Sequence, residues 1–206
     1  MQVSLCIPTK DYIPAGFAIC LANLAAELTR KNVSFSLNMI IGTTIADSRN
    51  QLAKKAIADN SEYTLWLDSD MHFPSDVFFN LKKHNKDIVG CTYSTRRRPQ
   101  RSVAFDNETD FNSRLSSQSG LHPVFAVGFG CILIKTGVFK SINSPWFFNR
   151  WDNYTETLVG EDIVFCENAN NNNFTVYVDV DASKNVGHYG TKIYLLDDTN
   201  EYSTKI

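Results

Sequence analysis

Residues 63–74 read YTLWLDSDMHFP and carry the strongest structural signal in the chain. The apolar run 65–67 ends abruptly at Asp68, Ser69 and Asp70, as a buried strand does when it delivers charge to the edge of a sheet. In an extended chain, residues two apart point to the same side, so both carboxylates are expected to face one small volume. Two like charges this close share either a proton or a cation.

The cation that suits such a pair is Mg²⁺ or Mn²⁺, because these ions prefer oxygen ligands. They take one or two carboxylates and complete their coordination with water and substrate phosphates, so the pair predicts a site for a metal–diphosphate. The alternative is that the two aspartates begin a turn and cap a helix near Ser75.

The rest of the chain alternates between strand and helix patterns, which predicts an α/β fold. We expect a mixed, mainly parallel central sheet with helices on its faces, in a single domain over residues 1–206 that can also be one domain of a longer polypeptide. The predicted strands are 3–8, 35–41, a strand in 63–74 that ends at the two aspartates, 87–93, 124–135 with a bend at Gly128 and Gly130, and 175–180. The predicted helices are 15–30, 45–60, 75–83 and 160–169. Segment 94–121 is polar and predicts a long loop or edge hairpin with a basic cluster at Arg96, Arg97, Arg98 and Arg101.

The composition excludes several classes of function. A net charge of -2 gives no general attraction to nucleic acid or membranes. The sequence has no signal peptide and no apolar segment approaching ~20 residues, so a soluble, cytoplasmic protein without a transmembrane segment is expected. The five cysteines are scattered and lie mostly in apolar runs, which predicts reduced core residues.

Polar side chains follow three predicted strands, where ligands of such sheets bind. Thr9 and Lys10 end the first strand, Asp47 and Arg49 begin the helix after the second, and the two aspartates follow the third. A cation near a helix N-terminus opposes the helix dipole, so Arg49 is paired with a carboxylate such as Asp47 or awaits an anionic ligand. A solvated surface arginine is the alternative.

Two later residues are further candidates. Asp162 in the stretch GEDIVF suits a base that accepts a proton from an attacking hydroxyl, and its alternative is a helix N-cap. His188 lies between Gly187 and Gly190 and is either a loop residue or a ligand. Gly128 and Gly130 allow a close approach of substrate to the backbone, or a bulge without a function.

Taken in order, these motifs resemble the GT-A glycosyltransferases, which use a DxD motif to hold a metal and a nucleotide-sugar diphosphate. The resemblance rests on IPTKD, Arg49-Asn50, WLDSDMHFP, DIVGCTYSTRRRP, VGFGCILIKT, GEDIVFC and the late His188, and it covers nearly the whole chain. It is closest to compact viral and phage members, including a chlorovirus glycosyltransferase domain.

The resemblance implies a Mn²⁺- or Mg²⁺-dependent hexosyl- or deoxyhexosyltransferase. The donor is expected to be a nucleoside-diphosphate sugar, UDP-linked by family habit, and the acceptor a hydroxyl of a glycan or glycoprotein, with inversion. Asp162 is the implied base. The implied metal ligands are Asp68, Asp70 and His188, and the implied nucleotide-binding residues are Thr9, Lys10, Asp47, Arg49, Asp68 and Ser69.

Three other readings compete with this one. A sugar-nucleotide nucleotidyltransferase should carry a glycine-rich loop after the first strand, where this chain has residues 8–12 reading PTKDY. An acid-phosphatase-like enzyme should carry its aspartates after the first strand, not the third. Only a turnover measurement distinguishes the enzyme from a non-catalytic nucleotide- or carbohydrate-binding module, because such a module would bind the donor without releasing nucleoside diphosphate.

Overall fold

The computed structural model describes residues 1–10, 12–96, 99–107, 110 and 115–190, and the backbone alone of 194–195. The strands are β1 Gln2–Thr9, β2 Ser34–Ile41, β3 Tyr63–Leu67, β4 Met71–His72, β5 Ile88–Gly90, β6 Ala104–Phe105, β7 Leu121–Val124, β8 Ala126–Val127, β9 Cys131–Lys135, β10 Arg150–Asp152, β11 Thr157–Val159, β12 Val176–Asp179, β13 Gly187–His188 and β14 Tyr194–Leu195. The helices are α1 Ala15–Arg30, α2 Ile45–Ala58, α3 Val77–Lys82, α4 Gly137–Ser141, α5 Glu161–Asn171 and α6 Val180–Ser183, and a 3₁₀ turn spans Leu115–Ser117.

The central sheet has the strand order β2-β1-β3-β9-β5-β12-β7. Strand β1 pairs in parallel with β2 and β3, and β5 pairs in parallel with β12. Strand β9 runs antiparallel between β3 and β5, and β7 is antiparallel to β12 at the edge. This confirms the predicted α/β class with a mixed, mainly parallel central sheet flanked by helices.

The alternation of side chains along β3 divides the core between the two faces of the sheet. Leu65 and Leu67 pack in a cluster with residues of α1 and α3. Trp66 points to the opposite face and packs with residues of α2, α4 and α5. Its ring lies 5.8 Å from that of Phe129 and 5.3 Å from that of Phe147, at angles typical of favourable aromatic pairs.

The predicted strand 124–135 is not one element, because the chain forms the end of β7, then β8 and β9. The interruption at residues 128–130 falls at the two glycines where a bend was expected. The space beside Gly128 and Gly130 is filled by Tyr93, whose hydroxyl accepts a hydrogen bond from the Gly130 N–H at 2.9 Å. A Cβ on Gly128 or Gly130 would lie within 2.6 Å of the Tyr93 hydroxyl oxygen. The glycines therefore accommodate a buried tyrosine, where the sequence suggested either an approaching substrate or a bulge without a function.

Segment 94–121 contains the bridge Ser94–Ser102, strand β6 and the 3₁₀ turn, and Arg97 and Arg98 of its basic cluster lie outside the described residues. The five cysteines are free and buried, as predicted. Within the described ranges, no helix is long and apolar enough to cross a membrane.

Candidate active site

A cleft of about 360 Å³ lies at the edge of the sheet where β1, β2 and β3 end. Five of the predicted site residues line it, namely Thr9, Lys10, Asp68, Ser69 and Asp70. Thr43, Ile45 and Ser48 enter from the start of α2, and Tyr12 and Pro14 from the segment before α1. The structure thus brings three separate segments of the chain around one concave surface.

The two aspartates stand in a tight turn, in which the N–H of Met71 donates to the carbonyl of Asp68 at 3.1 Å. They do not cap the next helix, since α3 begins at Val77 and its N-cap residue is Asp76. The suggested capping role is therefore wrong. Both carboxylates are instead paired with arginines, and the two arginines differ in how deeply they are buried.

Arg49 lies beneath the cleft with only 3% of its side chain exposed. Its Nη2 donates to Asp68 Oδ1 at 2.8 Å, and its Nη1 pairs with Glu161 Oε1. The guanidinium carbon also lies 5.1 Å from the centre of the Phe129 ring, and Nε has no hydrogen-bond partner in the described part of the chain. A solvated surface arginine is thus excluded, and one buried cation joins the end of β3 to the start of α5.

Asp47 does not compensate the charge of Arg49, contrary to that expectation. It is exposed, and its Oδ2 accepts hydrogen bonds from Thr43 and Gln51, both at 2.7 Å. These hydrogen bonds lower the pKa of Asp47. Its backbone N–H donates to Thr44 Oγ1 at 3.2 Å, which is the N-cap contact of α2. Local side chains therefore satisfy Asp47, and the counter-charges of Arg49 come from distant segments.

Asp162 is the second residue of α5 and not its N-cap, a position taken by Gly160. Its carboxylate accepts from the N–H of Ile163 at 2.9 Å and lies so close to Gly160 that a Cβ there would meet Oδ1 at 2.8 Å. Burial and the neighbouring charge of Glu161 raise the pKa of Asp162 to about 6, against the opposing charge of Arg49. A carboxylate with this pKa is mostly ionised at neutral pH and is basic enough to accept a proton.

Asp70 pairs with the second arginine. Arg96 Nη1 lies 2.9 Å from Asp70 Oδ2 and also donates to the carbonyl of Tyr189 at 3.1 Å. The N–H of Tyr189 in turn donates to the carbonyl of Asp70 at 2.7 Å. The Tyr189 hydroxyl is 3.0 Å from His72 Nδ1, so this tyrosine contacts both Asp70 and His72.

His188 lies in β13, which pairs with β4 directly after the two aspartates. Its Nδ1 donates to the carbonyl of Ser94 at 3.0 Å, which leaves Nε2 without the proton when the ring is neutral. Burial lowers the pKa of His188, against the raising effect of the Ser94 bond and of the Asp70 charge. The ring therefore favours the neutral form that binds metals.

The donor set fits a divalent cation as a two-carboxylate site. The described residues contain no group of three or more histidine, cysteine, aspartate or glutamate side chains placed to hold a metal. Asp68 and Asp70 are the carboxylates among the residues that line the cleft, and Mg²⁺ or Mn²⁺ needs only one or two of these when phosphates and water complete the coordination.

Glu161 and Tyr93 also belong to the site, and neither was predicted as a site residue. Glu161 pairs with Arg49 across 112 positions of sequence, and its only signal was its place beside Asp162. Burial raises the pKa of Tyr93 well above its ordinary value, and the charges of Asp68 and Asp162 add to this effect. The charges of Asp68, at the end of β3, and of Asp162, in α5, therefore act on the same buried tyrosine.

Comparison with known proteins gives one matching family model and a larger number of similar solved structures, two of which are described below. The Anp1 family model matches residues 26–128, which are half of the chain. None of the curated proteins searched matches. The crystal structure of A197 from STIV is similar with a TM-score of 0.62 and 16% identity, covering 100% of this chain and 98% of that chain. This similarity shows a common fold.

A glycosyltransferase involved in the glycosylation of the major capsid of PBCV-1 is matched with 15% identity, over 71% of this chain and 69% of that chain. Its TM-score is 0.36, so this likeness is too distant to support an argument.

Proposed function

The chain belongs to the Anp1 family, a glycosyltransferase-like family, and from that premise we propose a metal-dependent transfer of a sugar within a GT-A fold. The donor is a nucleoside-diphosphate sugar, UDP-linked in the first instance, and the acceptor is a hydroxyl of a glycan or glycoprotein. The observation that carries the proposal is the bridge through Arg49, which joins the aspartate of the cleft to the helix that bears Asp162.

The donor side of the proposal uses the cleft. Asp68 and Asp70 would hold Mn²⁺ or Mg²⁺ as two carboxylate ligands, and the described residues do not place His188 with them as a third. When bound, the metal would supply Lewis-acid stabilisation of the charge on the departing nucleoside diphosphate. Thr9, Lys10 and Ser69 line the same cleft and would contact the nucleotide. Asp47 would act through Thr43, which it holds at the cleft wall.

Arg49 takes a different role here from direct contact with the nucleotide. Both of its terminal nitrogens are engaged with carboxylates and its side chain is buried, so it would position Asp68 and Glu161 instead. A preorganised bridge of this kind holds Asp68 and the start of α5 in fixed relative positions, so that no rearrangement is needed during the reaction.

Asp162 would accept the proton of the acceptor hydroxyl as that hydroxyl bonds to the anomeric carbon of the sugar and the bond to the nucleoside diphosphate breaks on the opposite face, a single displacement that inverts this carbon. The hairpin β10–β11 ends at Val159, directly before Gly160 and α5. Trp151 and Leu158 are paired across this hairpin and are 57% and 61% exposed. They offer an apolar surface near the start of α5 on which the face of an acceptor sugar ring can pack.

The test is a panel of nucleotide sugars incubated with Mn²⁺ and followed by NMR, which reports the donor, the need for metal and the anomeric outcome. Asp70→Ala is expected to reduce metal-dependent release of nucleoside diphosphate by about 100-fold or more while the protein stays folded. Asp76→Ala is the matched control, because Asp76 is exposed and its side chain makes no cap hydrogen bond.

Equal turnover in the wild type and Asp70→Ala would refute the assignment. Binding of donor with metal but no release of nucleoside diphosphate would instead identify a non-catalytic binding module. Release of pyrophosphate from a nucleoside triphosphate and a sugar phosphate would identify a nucleotidyltransferase.

A further inference from the structure

We propose that, in the ligand-free protein, the guanidinium of Arg96 occupies the position at Asp70 that the metal ion would take. When the metal binds, Arg96 moves to the diphosphate of the donor. The inference rests on the proposed function and adds a residue that exchanges between two partners in the same site. Its basis is the contrast between the two arginines that face the aspartate pair.

Arg49 cannot exchange. It is 3% exposed and paired with both Asp68 and Glu161, so removing it from either partner would leave a partly buried carboxylate without its counter-charge. The guanidinium of Arg49 therefore stays with its two carboxylate partners. Any incoming metal must therefore bind Asp68 with Arg49 still in place.

Arg96 is placed to exchange. Its side chain is 47% exposed and that of Asp70 is 32% exposed, so solvent can replace the contact and the ion pair contributes little to stability. Arg96 also lies on the cleft wall itself. Because Arg96 Nη1 lies 2.9 Å from Asp70 Oδ2, it competes with a metal for that oxygen.

The released guanidinium has an obvious partner. Diphosphate oxygens accept paired hydrogen bonds from arginine with a geometry that a lysine does not match. Tyr189 defines the starting position, since its carbonyl accepts from the same Arg96 nitrogen while its N–H binds the carbonyl of Asp70. Arg96 thus begins beside the carboxylate that would hold the metal, within side-chain reach of phosphates on that metal.

The test measures binding and does not require turnover. Mn²⁺ affinity is measured without donor by electron paramagnetic resonance of the free ion, for the wild type, Arg96→Met and Arg30→Met. Arg30 is the matched control, because it is also an exposed arginine paired with a carboxylate, Glu27, and it lies at the far end of α1.

We then measure, at saturating Mn²⁺, the affinity for whichever of UDP, GDP and ADP binds the wild type most tightly. Arg96→Met is expected to bind Mn²⁺ about two- to fivefold more tightly, because the competing cation is gone. It is expected to bind the nucleoside diphosphate about tenfold more weakly or worse, because a charge-assisted hydrogen bond is lost. Arg30→Met should change neither affinity.

Unchanged or weaker Mn²⁺ binding in Arg96→Met would refute the proposal that Arg96 and the metal compete for Asp70. Tighter Mn²⁺ binding with unchanged nucleotide binding would overturn the move to the diphosphate, as would a wild type that binds none of the three nucleotides. If Arg96→Met shows both expected shifts but the wild type transfers no sugar, the proposed function is refuted and this inference still stands.

Discussion

Replacing Asp162 with asparagine is expected to stabilise the protein at neutral and alkaline pH and to abolish sugar transfer in the same variant. Burial, together with the charge of Glu161, raises the pKa of Asp162 from its ordinary value of 3.8 to about 6. The folded state therefore disfavours the ionised carboxylate. Asparagine keeps the oxygen that accepts from the Ile163 N–H and removes the charge.

The size of the effect follows from the two pKa values. A folded-state pKa above the unfolded one lowers stability as the pH rises, with no penalty below the unfolded pKa and the full penalty above about pH 6. The difference between 3.8 and about 6 corresponds to about 3 kcal/mol. Asp162→Asn should thus gain about 3 kcal/mol at about pH 8 and about 1 kcal/mol at about pH 4.5. Because the side chain keeps some contact with solvent, these are upper values.

Urea unfolding at the two pH values measures the change in free energy of unfolding for each variant. Asp152→Asn is the matched control, because hydrogen bonds from the Tyr154 N–H and from Thr155 lower the pKa of Asp152. Its replacement should therefore lower stability at alkaline pH, the opposite sign. A stability gain in Asp162→Asn that does not grow with pH, or a loss at about pH 8, would refute the argument from burial.

Two further variants test the packing around the site by urea unfolding. Arg49→Met is expected to lower the free energy of unfolding by about 3–5 kcal/mol, since it leaves Asp68 and Glu161 without their cation. A loss under about 1 kcal/mol, as expected of an exposed ion pair, would contradict the conclusion that Arg49 forms a buried bridge between these two carboxylates. Gly130→Ala is expected to cost about 1–3 kcal/mol, because the new Cβ would lie 2.5 Å from the Tyr93 hydroxyl oxygen. Gly137→Ala is its control, since no atom lies within 4 Å of a Cβ at that position, and equal losses in the two variants would refute the packing explanation.

The long elements could be predicted from the sequence because each carries its own periodic pattern. The prediction of a helix at 15–30 agrees with α1 to the residue, since Phe17, Cys20, Leu24 and Leu28 repeat at helical spacing on its buried face. The hairpin β10–β11 and helices α4 and α6 were not predicted, because elements of three to five residues are too short to show a period. The position of β9 between β3 and β5 depends on pairing between distant segments, which no local pattern contains.

In the site, too, local patterns could be predicted from the sequence, whereas pairings between distant segments could not. Thr9, Lys10 and the aspartate pair could be placed at one edge, because the carboxyl ends of parallel strands meet there. The partner of Arg49 could not be identified, and the nearest carboxylate in sequence was the wrong choice. Asp47 is satisfied by Thr43 and Gln51 within its own helix and the preceding turn, whereas Glu161 reaches Arg49 only through the folded sheet.

The arrangement of charge at the site is itself an argument that the site serves a function. Asp68 and Asp70 line the cleft, Glu161 and Asp162 lie at the start of α5, and Arg49 and Arg96 are the arginines paired with three of these four carboxylates. Within the described residues, Asp162 is the one of the four without an ion pair to an arginine. Stability alone does not account for Asp162, because its ionised form carries a penalty of up to about 3 kcal/mol that a neutral residue would avoid. Proteins retain such costly groups where activity depends on them, so Asp162 favours a functional site over a structural ion network.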